Sequence, residues 1–318
     1  MNALVLALLT TLPGPPPAFP RELAADAPLV ALARAAPSVA PQWIGPRRPD
    51  PRRPARVVTL APHATELVFA LGRGDAVVGV SRFDDVPPEV TTRPRVGGFV
   101  DPNLEAIVAL APTLVLAAPN GSVRAPLERL DALGVPVLVV PGNSLADAFH
   151  ALRAVARALD AEPAAEALER GWWRALAAER RHAGRRGTRF VVLFERDPLI
   201  VAGPRALLGE TLTLLGGVNV VRTASDYPVY AREQLVVDAP ALLVDGASMA
   251  SWTSTSTRTL LPLDPAARRA LSGLDALPAL GAGRALRLQG SALLRPGPRL
   301  FAALGELGAA LDPPPRAR

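Results

Sequence analysis

Short apolar runs alternate with amphipathic segments between residues 56 and 160. The run from Val57 to Leu60 is bounded by Arg56 and Pro62, which is typical of a buried parallel strand. The helical segment that follows ends at Gly72, because glycine favours the left-handed conformation found at helix C-termini. The same pattern predicts strands near 76–80, 114–117 and 136–140, and helices near 64–71, 103–110, 124–133 and 145–159. Such alternation predicts an α/β fold on a parallel sheet.

A long helix interrupts this alternation at Glu162 and Pro163, and it is predicted to run to about residue 183. At about 1.5 Å per residue it spans roughly 30 Å, the diameter of a small domain, which suits a rigid connector between two lobes. Trp172 and Trp173 are predicted to pack between this helix and the lobes. A second α/β lobe follows, with a strand at 189–194, a helix at 207–215, strands near 242–245 and 284–288, and a last helix at about 297–311.

The N-terminal segment reads differently from the rest of the chain. Residues 2–12 form an apolar run that is too short for the roughly 20 residues that span a bilayer. It fits the core of a secretory signal, although no basic residue precedes it; a loose tail or a mis-assigned start is the alternative. Residues 42–55 are rich in proline and arginine and predict an extended, solvated linker. The predicted organisation is a signal segment and linker over 1–54, a first lobe over 55–161, a connecting helix over 162–184 and a second lobe over 185–318.

An internal repeat relates the two lobes. Glu105, followed seven residues later by Pro112 and then by an apolar strand, recurs as Glu233 followed by Pro240 and a second apolar strand. Each unit reads as a short helix, a proline turn and a buried strand. The two glutamates are therefore predicted at equivalent positions of related lobes.

Four segments together resemble one family: residues 56–80 (RVVTLAPHATELVFALGRGDAVVGV), 96–105 (VGGFVDPNLE), 215–219 (LGGVN) and 295–299 (RPGPR). They resemble the class III periplasmic binding proteins that deliver cobalamin, haem or ferric siderophores to ABC importers, with the vitamin B12-binding branch as the nearest likeness. The resemblance covers roughly residues 55–311. It implies two Rossmann-like α/β lobes joined by a single long rigid helix, with the ligand cleft between the lobes.

The resemblance also implies a set of ligand contacts on loops that face the cleft: Pro62, His63, Phe83, Phe99, Phe194, Tyr227 and Arg295. The four aromatic side chains fall where the relatives place rings against a corrin, and flat apolar faces suit a large planar ligand. The relatives often carry tryptophan at positions where this chain has Phe99, Tyr227 and Ala118, so a looser pocket or another ligand is the alternative. Arg295 is expected either to hydrogen-bond a ligand amide or carboxylate, or to anchor the loop before the last helix.

His63 stands out because it follows the first predicted strand, at the end of the sheet where open α/β folds bind ligands. It is one of three histidines in the chain. An imidazole there is able to contact the ligand, to act as an axial ligand of cobalt or haem iron, or simply to bond backbone near Glu66. We predict direct ligand contact and leave metal coordination as an open alternative.

Glu105 and Glu233 have two interpretations that are compatible with each other. A glutamate that opens a helix is stabilised by the helix dipole alone. In the resembling family, matching glutamates project from the lobe tips and pair with arginines of the membrane permease. We therefore expect Glu105 and Glu233 to dock the permease.

Composition and missing motifs narrow the classes of site and function that remain. The 318 residues include no cysteine, which excludes disulfides, thiolate metal sites and a lipid-modified N-terminal cysteine. The net charge is +6, but the 35 basic residues, all arginine, are spread along the chain and aromatic residues amount to 4%, which argues against nucleic-acid binding. No HExxH, GxSxG or P-loop pattern is present, and the carboxylates Asp84 and Asp85 read as part of an exposed turn because two prolines follow them.

The sequence thus predicts an exported, periplasmic solute-binding protein, not an enzyme, that has no catalytic cofactor. It is expected to act as a monomer, to bind a cobalamin-like corrinoid and to deliver it to an ABC importer permease and its ATPase subunits. Membrane contact is expected only through the permease. A haem ligand, with His63 or Tyr227 at the iron, and a ferric siderophore, for which Arg295 is the one cleft arginine we can place, are alternatives; an enzyme on the same fold is a further one.

Overall fold

Two β-sheets, one in each half of the chain, organise the structure. The computed structural model describes residues 20–50, 52–98, 100–119, 124–182, 187–247 and 259–313. Within these residues, no helix combines the length and the apolar character needed to cross a membrane. The apolar run at 2–12 lies outside the described residues.

The first lobe carries a five-stranded sheet in the order β1-β5-β4-β2-β3. Strands β2 to β5 are parallel, and β1 pairs antiparallel with β5 at one edge. The elements of this lobe are α1 Ala27–Arg34, β1 Gln42–Ile44, β2 Val57–Thr59, α2 Pro62–Ala70, β3 Val77–Val80, α3 Leu104–Ala109, β4 Leu114–Ala117, α4 Arg124–Ala132, β5 Val137–Val139 and α5 Leu145–Ala158.

The second lobe follows the helix α6, Glu162–Arg180, and carries a six-stranded sheet in the order β10-β11-β9-β6-β7, with β8 also paired to β6. Strands β6, β8, β9 and β11 are parallel, whereas β7 and β10 are antiparallel. Its elements are β6 Arg189–Arg196, β7 Leu199–Val201, α7 Leu207–Leu214, β8 Val218–Asn219, α8 Arg232–Asp238, β9 Leu242–Asp245, β10 Leu260–Pro262, α9 Pro265–Arg269, α10 Pro278–Gly281, β11 Ala285–Leu288, α11 Pro298–Ala302 and α12 Leu304–Leu311.

The predicted repeat is confirmed at the level of the backbone. Helices α3 and α8 occupy equivalent places, and the strands that follow them, β4 and β9, are each the middle strand of the ordered sheet. Between helix and strand, Ala111 and Ala239 both adopt a positive φ, 46° and 42°, directly before Pro112 and Pro240. This conformation is uncommon for a residue with a Cβ, so its occurrence at both positions indicates two copies of one structural unit.

Helix α6 joins the two lobes through aromatic contacts. Trp173 stacks on Phe149 of α5 with a centroid separation of 4.3 Å, and Trp172 stacks on Phe301 of α11 at 4.1 Å. Both tryptophans are buried, as predicted, and one continuous apolar cluster includes side chains from both lobes. The connector therefore lies inside the shared core.

The structure corrects two expectations about the ends of the chain. The solvated linker expected over 42–55 is wrong for residues 42–44, which form β1 and pair with β5 in the first sheet although they precede residue 55. The proline- and arginine-rich composition of the residues that follow concealed this strand. The single last helix is also wrong, because the chain bends at Ala303 and forms α11 and α12.

Candidate functional site

Loops at the carboxyl ends of parallel strands from both sheets meet between the lobes. Pro62 and His63 follow β2, and Phe83 follows β3. In the second lobe, Tyr227 lies between β8 and α8, and Arg295 lies between β11 and α11. This is the edge at which open α/β sheets bind ligands.

Pro62 and His63 lie in the first turn of α2, not in a loop as the sequence predicted. Pro62 begins the helix, because proline at the first position loses no hydrogen bond and its φ is already helical. His63 is 7% exposed and its ring packs against Gly142, where a Cβ would lie 2.7 Å from the ring carbon Cε1. The structure therefore places His63 beneath the surface of the cleft.

The environment of His63 favours a neutral imidazole. Burial lowers its pKa, and this effect is opposed by a hydrogen bond to the Val140 backbone and by the charge of Glu66. Nε2 is buried and has no hydrogen-bond partner among the residues that the structure describes, so we assign the Val140 bond and the proton to Nδ1. Among the described residues, no group of three or more acidic or histidine side chains is placed to hold a metal ion.

Aromatic side chains from both lobes are available at this edge. Phe83 is 47% exposed on the first lobe, and Tyr227 is 47% exposed on the second. Tyr227 meets the half-buried Phe194 edge to face, with centroids 4.8 Å apart. Phe99 lies outside the described residues. Phe83 and Tyr227 therefore present apolar surface to solvent at this edge.

Arg295 crosses between the lobes. Its Nη1 donates to Glu66 Oε1 at 3.2 Å and to Asp85 Oδ1 at 2.6 Å, and its Nη2 donates to the Phe83 carbonyl at 3.1 Å. Arg299 binds the same Glu66 through two nitrogens, at 3.0 and 2.7 Å. Of the two expected roles, anchoring is the one this geometry displays, although the loop that Arg295 anchors belongs to the other lobe.

A second polar contact between the lobes involves Glu210 on α7. Its Oε2 accepts a hydrogen bond from the backbone N–H of Leu145, at the first residue of α5, at 2.9 Å. Burial raises the pKa of Glu210, and the nearby Asp147 raises it further. The sequence did not predict roles in this site for Glu66, Arg299 or Glu210. A partial signal existed for Arg299, because the 295–299 segment carries two arginines around a glycine.

Glu105 and Glu233 are both exposed and both lie in the first turn of their helices, α3 and α8. Neither side chain forms an ion pair or hydrogen bond with another described residue. Asn103 supplies the cap of α3, accepting from the Ala106 N–H at 3.0 Å, so Glu105 is not needed as the capping side chain.

A cavity of about 500 Å³ lies elsewhere, at the opposite edge of the first sheet. It is lined by residues that precede β2 and follow α2 and α5, among them Arg53, Arg73 and Asp160. Because those segments lie at the amino ends of the strands, this cavity is separate from the aromatic surface described above.

Comparison with known proteins identifies the family of this chain. A family model described as periplasmic binding protein matches residues 57–269. The chain belongs to the periplasmic binding protein family. The resemblance inferred from the sequence segments is confirmed, and so is the two-lobed α/β fold.

This periplasmic binding protein is similar in sequence to vitamin B12-binding proteins. It is 32% identical over 203 residues to the vitamin B12-binding protein of Pectobacterium atrosepticum, covering 61% of this chain and 73% of that one. It is 35% identical over 197 residues to the vitamin B12-binding protein of Salmonella paratyphi A, covering 60% and 72%.

Similar solved structures include both a haem-binding and a vitamin B12-binding protein. The periplasmic haem-binding protein of Roseiflexus sp. RS-1 is 27% identical with a TM-score of 0.68, covering 81% of this chain and 97% of that one. The periplasmic vitamin B12-binding protein of Vibrio cholerae is 26% identical with a TM-score of 0.62 and the same coverage. These relatives are substrate-binding proteins rather than enzymes, and this chain is a solute-binding protein of the same family.

Proposed function

We propose that this protein captures a cobalamin-like corrinoid between its lobes in the periplasm and delivers it to an ABC importer. The observation that carries the proposal is the pair of half-exposed aromatic side chains, Phe83 on one lobe and Tyr227, backed by Phe194, on the other. Stacked flat faces bury much of a planar macrocycle at small entropic cost. The vitamin B12-binding relatives support the choice of ring.

Haem is the second candidate, because solved haem-binding proteins share the fold. Tyr227 is the better of the two proposed iron ligands, since it is exposed, whereas His63 is buried with its Nε2 shielded from solvent. A ferric siderophore is less well supported. The cleft arginine that such an anion would use, Arg295, is already engaged by two carboxylates.

Delivery is proposed to use Glu105 and Glu233, which extend from equivalent helices of the two lobes. Exposed carboxylates that pair with no other described residue are available to an arginine of a permease, and their charge guides association. The protein is proposed to act as a monomer in this step and to meet the membrane only through the permease and its ATPase subunits.

Calorimetry on the full chain with cyanocobalamin, haemin and a ferric siderophore tests the ligand. We expect one-to-one, submicromolar binding of cyanocobalamin. Tyr227→Ala should weaken it by about tenfold or more, the scale of an aromatic anchor in a binding site. Arg124→Gln is the matched control, because it removes an exposed ion pair with Glu128 on α4. Tight haemin binding without cyanocobalamin binding would replace the corrinoid with haem.

A further inference from the structure

The loop from Ser81 to Asp85, which we call the Phe83 loop, is held from within its own lobe. The buried Asp84 accepts a hydrogen bond from the Ser81 hydroxyl. Arg95 donates to the carbonyls of Ser81 and Asp84 at 2.8 and 2.6 Å. These contacts fix the base of the loop and leave the Phe83 side chain half exposed at its tip.

The same loop is held a second time from the other lobe. Arg295 donates to the Phe83 carbonyl and to the Asp85 carboxylate, while its first terminal nitrogen also reaches Glu66. Its side chain is only 11% exposed. Both terminal nitrogens of the guanidinium are therefore directed at acceptors of the first lobe. A rigid, planar fork of donors suits this task better than a single ammonium group does.

The charges of this contact balance within the protein. Two guanidiniums, Arg295 and Arg299, face two carboxylates, Glu66 and Asp85. Both Nη1 hydrogen bonds of Arg295 go to these carboxylates, and its Nη2 donates to the Phe83 carbonyl. The arrangement therefore commits three of the five N–H donors of Arg295 to the first lobe, and it couples the Phe83 loop to the second lobe.

We propose that Arg295 is a positioning residue that acts on the ligand through Phe83, by holding the Phe83 backbone against the second lobe instead of contacting the ligand. The proposal rests on the proposed function of an aromatic cleft. It also links binding to release. If the importer draws the lobes apart, the Arg295 contacts break and the aromatic ring at the tip of the loop loses its fixed orientation.

The first test needs no ligand. Hydrogen exchange is measured on the peptide that covers residues 81–87 in the wild type, in Arg295→Gln and in Arg299→Gln. Arg299 binds Glu66 as Arg295 does, but the contacts described for it include neither Phe83 nor Asp85, which makes it the matched control. We expect exchange in this peptide to rise by about tenfold in Arg295→Gln, as expected when a local anchor is lost, and to change little in Arg299→Gln.

The second test is a double-mutant cycle with cyanocobalamin as the probe, or haemin if that is the ligand the wild type binds. Phe83→Ala and Arg295→Gln are each expected to raise Kd by about tenfold. If Arg295 acts through Phe83, the double variant should bind like Phe83→Ala alone, within about twofold, because the ring it positions is gone. Thermal unfolding of each variant checks that the fold is intact.

Each outcome decides the proposal. Faster exchange in Arg295→Gln alone, together with a non-additive cycle, confirms it. If exchange rose equally in Arg295→Gln and Arg299→Gln, Arg295 would only join the lobes and would not hold the loop specifically. If the increases in Kd of the two single variants multiplied in the double variant, Arg295 would contact the ligand directly. If the wild type bound neither probe, the proposed function would fail, while the exchange measurement would still uphold or overturn the hold of Arg295 on the loop.

Discussion

Replacing Glu66 with glutamine removes a negative charge that two arginines of the other lobe share. The Glu66 side chain is 3% exposed, and its oxygens lie 2.7 to 3.2 Å from nitrogens of Arg295 and Arg299. Removing one partner of a buried ion pair costs about 3–5 kcal/mol, because the remaining charge stays buried. Arg295 keeps Asp85, and Arg299 keeps the Ser291 hydroxyl, so one arginine loses its carboxylate. We therefore expect the lower end of the range, about 3 kcal/mol.

Urea unfolding followed by tryptophan fluorescence measures this loss, because Trp172 and Trp173 are buried where the lobes meet. At roughly 2.1 cal/mol/K of unfolding entropy per residue, a loss of about 3 kcal/mol lowers the Tm of this 318-residue chain by about 4–5 °C. Glu166→Gln is the matched control, since its pair with Arg170 is exposed on α6 and is worth about 0–1 kcal/mol.

A Glu66→Gln protein that unfolds within about 1 kcal/mol of the wild type and of the Glu166→Gln control would contradict a buried, shared carboxylate. That result would mean that the arginines find water or other acceptors at no cost. A two-step transition in Glu66→Gln alone would have a different meaning. It would show that this carboxylate couples the unfolding of the two lobes, since a single transition is expected only while they unfold together.

Three further predictions concern docking, pH and packing. Replacing both Glu105 and Glu233 with alanine should abolish importer-dependent uptake while calorimetry gives an unchanged Kd; a weakened Kd would remove them from docking. Burial lowers the pKa of His63, so the unfolded chain binds a proton more readily than the folded one and stability should fall as the pH drops below about 6.5. In unfolding measured from pH 7.5 to 5, His63→Gln should lose less stability with falling pH than the wild type does. An identical pH dependence in the two proteins would contradict this. Gly142→Ala should lower the free energy of unfolding by about 1–3 kcal/mol, because the new Cβ would meet the His63 ring. The control Gly171→Ala, which has open space on helix α6, should raise it by about 0.5–1 kcal/mol in the same unfolding assay. Equal shifts in the two variants would refute the packing of His63 on Gly142.

Apolar periodicity was sufficient for the strands and helices that line the cleft, because a buried parallel strand is a continuous apolar run whatever its neighbours are. It failed for β1, whose three residues owe their strand conformation to pairing with β5 rather than to their own pattern. Short edge strands of this kind have no local signature that outweighs flanking prolines. Helix α2 also begins earlier than predicted, at Pro62, because a proline that begins a helix is equally compatible with the preceding loop.

The polar part of the site was harder to predict from the sequence, for a different reason. Glu66 contacts Arg295 across 229 positions of the sequence, and a carboxylate near the start of a helix looks like an ordinary surface charge until its partners are placed. Asp84 and Asp85 read as an exposed turn because two prolines follow them, yet Asp84 is buried and Asp85 binds Arg295. Pairings of this kind depend on how the lobes meet, which no local pattern specifies.

The way the lobes meet also bears on how far they separate. The apolar cluster that contains Trp172 and Phe301 continues from one lobe into the other, so a wide hinge motion would expose it to water at about 25 cal/mol per Å² of apolar surface. The contacts of Glu66 and Glu210 cross the same boundary and would break in addition. Opening that is confined to the loops around Phe83 and Tyr227 avoids most of this cost. A ligand is therefore expected to enter by a small displacement of the lobe rims, while the core around α6 stays closed.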